Sequence, residues 1–438
     1  MTETTNQNPK DAKDLKDLIA QAVKDATAQV LANSRHWAGV FPDDATVNNF
    51  WTPRGARDGF AIEGANHGWT TSFWTGMQWL AYELTGNDEL KVAAQAGSLD
   101  HVRRAIARQD TDTHDLGFLY SLSAVADWML TGNETAREGA LLAAELLLAR
   151  FLEPAGIIQA WGDLSDPEQQ GRGILDSMLN LPLLVWAYHQ TGDERFMTAV
   201  RRHAKAITEQ IIRADNSTYH TFFWDPVTGE PLRGTTHQGA TDNSCWSRGQ
   251  AWGIYGFTMA YQATGDPELL DAAIRVTDYY LDHLPADAVP YWDFIFTEDD
   301  RGAGERAAYF KAQGIDPASR EGLPGFGEQR DASAAAITIC GLRELVNILR
   351  NPADDHPRAR QAELDRAARY EKAADQMLYS LITGYTPAAL NEPSDALLLH
   401  TVYNKPNGHG IDEATQWGDY FYLEALMRSI NPNWHRYW

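Results

Sequence analysis

Thr264-Gly265-Asp266-Pro267-Glu268 reads as one helix stopping and the next starting with nothing between them. Glycine takes the left-handed backbone that ends a helix, and aspartate caps the next helix through its carboxylate. Proline suits the first helical turn, where an acid also meets the positive end of the helix dipole. The same punctuation recurs at Thr85-Gly86-Asn87, Thr131-Gly132-Asn133 and Thr191-Gly192-Asp193. On either side lie stretches with apolar residues three and four apart, namely Trp74 to Leu84, Ala140 to Phe151, Phe196 to Ile212 and Leu269 to Leu284. The chain is therefore predicted to be a series of helical hairpins, each closed by the same short turn. A hairpin that cannot bury its own face must pack against its neighbours.

Successive turns lie about 46, about 60 and about 73 residues apart, which is irregular for an open solenoid of fixed repeats. The extra length falls in 152–175, 213–250 and 285–335, segments rich in Gly, Pro, Asp and aromatics on the connections opposite the Thr-Gly turns. Short turns at one end and long decorated loops at the other describe an all-α closed ring of six hairpins, an (α/α)6 barrel, with its site at the loop end. An open helical superstructure is the alternative. Residues 1–33 read as an added amphipathic helix, and 34–438 as the barrel domain.

Composition narrows the function. With 438 residues, 44% hydrophobic and 22% charged, the chain matches a soluble globular protein able to bury a large core. A net charge of -23 argues against a nucleic-acid partner, since phosphate backbones are bound through clustered lysine and arginine. The polar start lacks the apolar core of a signal peptide, and no eighteen-residue uncharged apolar run offers a membrane span, so a cytoplasmic location is expected. Cys245 and Cys340 are the only cysteines, which suits a reducing compartment and supplies neither a disulfide framework nor a zinc quartet. No His-Glu-x-x-His, calcium-loop, glycine-rich phosphate or Gly-x-Ser-x-Gly motif occurs, and no metal or cofactor is expected. Fifteen tryptophans and seventeen tyrosines serve both large cores and the apolar faces of sugar rings.

The candidate chemistry sits at predicted loop ends. Asp115, in His114-Asp-Leu-Gly-Phe118, precedes a helix-like run from Leu119 to Met129; it is either a capping residue or a functional carboxylate favoured by the helix N-terminus. Asp176, in Gly173-Ile-Leu-Asp-Ser-Met-Leu-Asn-Leu-Pro182, is an acid among apolar residues. Burial raises a carboxyl pKa, as a proton donor requires, while capping by Asp176-Ser177 is the competing reading. Two positioned carboxylates are the common requirement of glycoside chemistry. His220, Gln238, Arg248 and Trp252 come from the longest loop and the helix after it. Arg248 suits a bidentate grip on a carboxylate, or else an ordinary salt bridge. Trp69, Trp74 and Trp161 lie where platform residues would, though core packing is the commoner use of a tryptophan.

Together these residues resemble the unsaturated glucuronyl hydrolases of glycoside hydrolase family 88. The most specific pieces are His114-Asp-Leu-Gly-Phe118, Asp176-Ser-Met-Leu-Asn180, Ser247-Arg-Gly-Gln-Ala-Trp-Gly-Ile-Tyr-Gly256 and Trp417-Gly-Asp-Tyr-Phe-Tyr-Leu-Glu-Ala425, within a likeness running from about Trp69 to the C-terminus. The resemblance implies an (α/α)6 barrel acting on the C4=C5 double bond that a polysaccharide lyase leaves on a terminal uronic acid. It implies that Asp176 is general acid and base, that Asp115 is the second essential carboxylate beside His114, and that Trp69, Trp161, His220, Gln238, Arg248 and Trp252 line the terminal-sugar site. The expected partner is an unsaturated uronyl oligosaccharide, with neither nucleic acid nor membrane. The related unsaturated rhamnogalacturonyl hydrolases are expected to carry Arg-Gly-Asn-Gly-Trp where this chain has Arg248-Gly-Gln-Ala-Trp252. A non-catalytic glycan-binding barrel and an ordinary inverting glycosidase compete with the hydration reading. Asn404-Lys-Pro-Asn-Gly408 is a candidate contact for the sugar beyond the cleaved bond, and it lacks the serine pair associated with sulfate-binding members.

Overall fold

All four punctuation marks have the backbone their residues call for. Gly86, Gly132, Gly192 and Gly265 sit at φ of 68, 72, 72 and 71°. Asn87, Asn133, Asp193 and Asp266 each accept a hydrogen bond from the backbone N–H two residues on, at Glu89, Thr135, Arg195 and Glu268. Each Thr-Gly-Asn/Asp unit therefore satisfies one helix's last carbonyls and the next helix's first amides, and reverses the chain with two residues of loop.

The computed structural model describes residues 12–166, 169–297, 299–351 and 357–438. Six inner elements form a ring: α2 (Thr71–Thr85), the run from α4 (Leu116–Tyr120) through a π turn at Ser121–Val125 to α5 (Ala126–Thr131), α7 (Pro182–Thr191), α9 (Ser247–Thr264), α12 (Ala332–Arg350) and α15 (Gln416–Ile430). The ring closes where α15 packs on α2. Outside lie α3 (Asp88–Ala107), α6 (Glu134–Leu148), α8 (Glu194–Ile211), α10 (Pro267–Asp282), α13 (Pro357–Gly384) and, in the sixth place, α1 (Ala12–His36), while the shorter α11 (Ala303–Gln313) and α14 (Pro387–Leu390) belong to the connections. The result is an (α/α)6 barrel whose apolar core is nearly continuous around the ring. Helix α12 is long and apolar enough to cross a membrane, yet it is a core helix enclosed by α9, α13 and α15.

The expected boundary at residue 33 falls inside α1, and this helix is part of the barrel rather than an addition to it. Leu15, Ile19, Ala22, Ala26 and Val30 are buried in the main core, against α2, α13 and α15. Helix α1 fills the outer place beside the last inner helix, α15. Residues 1–11 of the expected extension lie outside the described residues.

The long connections hold more structure than their composition signals. A three-stranded antiparallel sheet of β3 (Arg172–Ile174), β4 (Thr221–Trp224) and β5 (Pro231–Thr235) joins two of them, while β1–β2 (Phe151–Leu152 and Ile157–Ile158) and β6–β7 (Thr401–Asn404 and His409–Glu413) are hairpins. The predicted helix from Ala140 to Phe151 ends at Leu148, because Phe151 pairs with Ile158 instead. Such short strands have no periodic signature of their own; their partners, some distant in sequence, create them.

Candidate active site

Two loops bring the acids together. The first is clipped to the neighbouring connection: His114 N–H donates to Ala160 O at 2.5 Å, and Thr113 bridges Trp161. Asp115 occupies the residue before α4 but makes no capping bond. Its Oδ2 accepts from Thr113 Oγ1 at 2.7 Å, and its Oδ1 lies 3.3 Å from His114 Nε2. The second acid, Asp176, follows β3 in a short 3₁₀ turn, Leu175–Leu179, again without capping. Both capping readings are thereby removed.

Asn180 connects the two loops. Its Oδ1 accepts the Phe118 N–H at 2.7 Å, and its Nδ2 donates to the Asp176 carbonyl at 3.3 Å. Gly117 makes this approach possible, since a Cβ there would lie 2.2 Å from Asn180 Cα. The glycine of one motif and the asparagine of the other thus set the relative position of the two carboxylates.

Asp176 Oδ1 is buried and has no hydrogen-bond partner. Burial, with Asp115 adding to it and His114 and Arg248 opposing, pushes this carboxyl up to about 7. His220 Nε2 stands 3.9 Å from that oxygen. The imidazole Nδ1 accepts the backbone N–H groups of His237 and Gln238 at 2.9 and 3.2 Å, which leaves the proton on Nε2, facing Asp176. Burial also holds His220 well below the usual histidine range, so it presents a neutral N–H. Sheet pairing places it there: Leu175 N–H donates to His220 O as β3 meets β4.

These groups open into a cavity of about 290 Å³, room for one sugar ring, lined in part by Trp69, Trp161, Ile174, His237, Gln238 and Tyr403. Trp69 stacks on Trp417 with ring centroids 4.9 Å apart, and its Nε1 donates to Tyr403 Oη at 2.9 Å. Trp161 carries the Arg172 guanidinium 4.6 Å from its ring centroid. The aromatic walls are therefore held by their neighbours. His237 and Tyr403 were not singled out by sequence, although Tyr403 directly precedes the Asn404–Gly408 stretch. Lys405 in that stretch is engaged by Glu328 and Gln329.

Three of the nominated residues stand behind the wall. Trp74 and Trp252 are core residues, Trp252 packed between Phe118 and Phe421. Arg248 does not line the cavity. Its fork is held by Asp331 at 2.9 Å, the Tyr403 carbonyl at 2.7 Å, the Val402 carbonyl and Gln238 Oε1 at 3.1 Å. The expected carboxylate grip is corrected accordingly: these acceptors occupy both terminal nitrogens. The arginine instead fixes Gln238, a cavity-lining residue, through its amide oxygen. Among the described residues no lysine or arginine lines the pocket.

The model of Glycosyl Hydrolase Family 88 matches residues 45–288. A protein of Streptococcus pyogenes serotype M1 named unsaturated chondroitin disaccharide hydrolase is 40% identical over 420 residues, covering 96% of this chain and 93% of the relative. The crystal structure of unsaturated glucuronyl hydrolase from Streptococcus agalactiae superposes with a TM-score of 0.81 at 38% identity, covering 97% of this chain and 94% of that one. A variant of that enzyme complexed with dGlcA-GalNAc6S gives a TM-score of 0.73 at 35% identity, covering 96% and 93%.

Proposed function

The chain belongs to glycosyl hydrolase family 88, and on that premise we propose that its pocket removes the terminal 4,5-unsaturated glucuronic acid from glycosaminoglycan-type oligosaccharides left by a lyase. The observation that carries the reading is Asp176: a largely buried carboxyl with an unpartnered oxygen at the cavity, pushed up to about 7. A vinyl-ether carbon is a weak base, and a neutral carboxylic acid in a site walled by aromatics is the group that protonates it.

Asp176 delivers its proton to C4, and the positive charge that develops at C5 is shared with the ring oxygen beside it. Asp115, held by Thr113 and His114, is the negative group that favours that charge. The Asp176 carboxylate then takes a proton from water as the water oxygen bonds to C5, which restores the acid. The hemiketal so formed opens to a C5 ketone, and the hemiacetal left at C1 collapses to an aldehyde with release of the next sugar. With no lysine or arginine among the described residues lining the pocket, the uronate carboxylate is held by neutral donors, the His220 Nε2–H and the Gln238 amide, while Trp69, Trp161 and Tyr403 enclose the ring. We place the reaction in the cytoplasm, a reading supported by two buried, unpaired cysteines.

A panel of lyase-generated disaccharides and their saturated analogues, followed by loss of ultraviolet absorbance of the conjugated double bond, tests the reaction. Unsaturated glucuronyl substrates are expected to be consumed, with chelator present, while saturated analogues and unsaturated galacturonyl-rhamnose persist. Equal rates on saturated and unsaturated substrates would remove the hydration mechanism.

A further inference from the structure

A cavity of about 290 Å³ encloses one ring, so the sugars beyond the cleaved bond leave across its rim. One wall residue, Asp110, belongs also to a shallow depression alongside, lined by Arg57, Asp58, Gly59, Phe60 and Gln109. Arg57 and Phe60 close a tight turn by exchanging backbone hydrogen bonds of 3.0 and 2.8 Å, with Gly59 at φ 82°. The Phe60 ring rests 5.1 Å from His67, whose Nε2 is fixed at 2.8 Å from Gly55 O. Arg57 lies over Phe60 at 5.4 Å, and its side chain is 43% exposed.

Two arginines converge on Asp110. Its Oδ2 takes the Gly68 N–H at 2.6 Å and the buried Arg104 at 3.0 Å, which already satisfy one carboxylate. Arg57 also pairs with that same oxygen, through one nitrogen. Two arginines thus share one carboxylate oxygen, and Arg57 is the exposed partner. Asp58 lines the same depression and offsets the second positive charge.

Resting on the terminal-uronate reading of the pocket, we propose that the Arg57–Phe60 turn is a distal subsite for an anionic group, a sulfate or a carboxylate, on the sugars that follow the cleaved bond. The planar fork of Arg57 binds the anion while Phe60 carries an apolar sugar face.

The test measures kcat and KM of wild type, Arg57→Gln and Asp58→Asn on three substrates: an unsulfated unsaturated disaccharide, its sulfated form, and an unsaturated tetrasaccharide whose next uronate supplies a carboxylate. Arg57→Gln is expected to raise KM about 3- to 10-fold wherever the anion engages, the effect of losing one half-exposed charge contact. The unsulfated disaccharide should be unaffected, and Asp58→Asn should shift KM for the anionic substrates the other way. The disaccharide and tetrasaccharide arms say whether sulfate or carboxylate is taken. An equal KM rise on all three substrates makes Arg57 a scaffold residue, and no rise on either anionic substrate removes the subsite; both outcomes overturn the proposal. A wild type inert on all three substrates overturns the pocket assignment itself, which separates the two failures.

Discussion

Keeping a proton on a buried carboxyl has a consequence for stability as well as rate. Asp176 titrates near 7 in the fold, against about 4 in an unfolded chain. Between those values the unfolded chain has released the proton and the native state still holds it, so stability falls as pH rises through this window and is flat above it. Asp176→Asn removes the titration. Its melting temperature should match the wild type near pH 4, exceed it increasingly up to about pH 7, and stay above it beyond. Turnover should drop by about 10²–10⁴-fold, the usual scale for general acid–base catalysis. An unchanged stability difference across pH would mean that this carboxyl is not held protonated. Arg248 makes a different prediction. Removing it leaves Asp331 buried without its partner and frees Gln238 to turn, so Arg248→Ala should cost about 3–5 kcal/mol of stability. Arg248→Lys should be intermediate, since it keeps the charge but not the fork. Calorimetric unfolding beside substrate affinity, both in the Asp176→Asn background, checks this; weakened binding at full stability would restore the direct carboxylate grip.

At the scale of elements, the two ends of the barrel do different work. The Thr-Gly turns are self-contained, each satisfied by its own glycine and cap. Replacing Asn87, Asn133, Asp193 or Asp266 with alanine should cost about 1 kcal/mol each while leaving kcat and KM unchanged. At the other end, Asn180 joins the Asp115 and Asp176 loops. Asn180→Ala leaves the buried Phe118 N–H unpaired, worth about 1–3 kcal/mol, and lets the carboxylates move apart. Here kcat should fall far more than the melting temperature predicts, measured against the cap variants at equal stability. Full activity in Asn180→Ala would show that the loops hold their register without it.

The whole molecule closes through its first and last described helices. Because α1 buries Leu15, Ile19, Ala22, Ala26 and Val30 against the ring, it stands as the twelfth barrel helix. Deleting residues 1–36 should expose the backs of α2 and α15 and abolish cooperative unfolding, as followed by circular dichroism. A removable extension would leave a folded, active barrel.

Four of the helix turns and the closed ring were legible from the chain itself, because Gly265-Asp266-Pro267 carries its conformational preference in its own atoms and amphipathic spacing survives without tertiary context. That Asp115 and Asp176 share one cavity agrees with the sequence as well, since Asp176 sits in an apolar run that announces burial, and the family motifs surround both residues. What Arg248 touches was not, because its acceptors come from Asp331, Val402 and Tyr403, far along the chain. Nor was the place of α1: an amphipathic helix records that it must bury a face, not which face of the molecule receives it. His237 and Tyr403 entered the wall through strand pairing and a hairpin that no periodicity marks. Local backbone chemistry is written residue by residue, whereas the partners of a buried charge or an apolar face depend on which distant segments the closed ring brings against them.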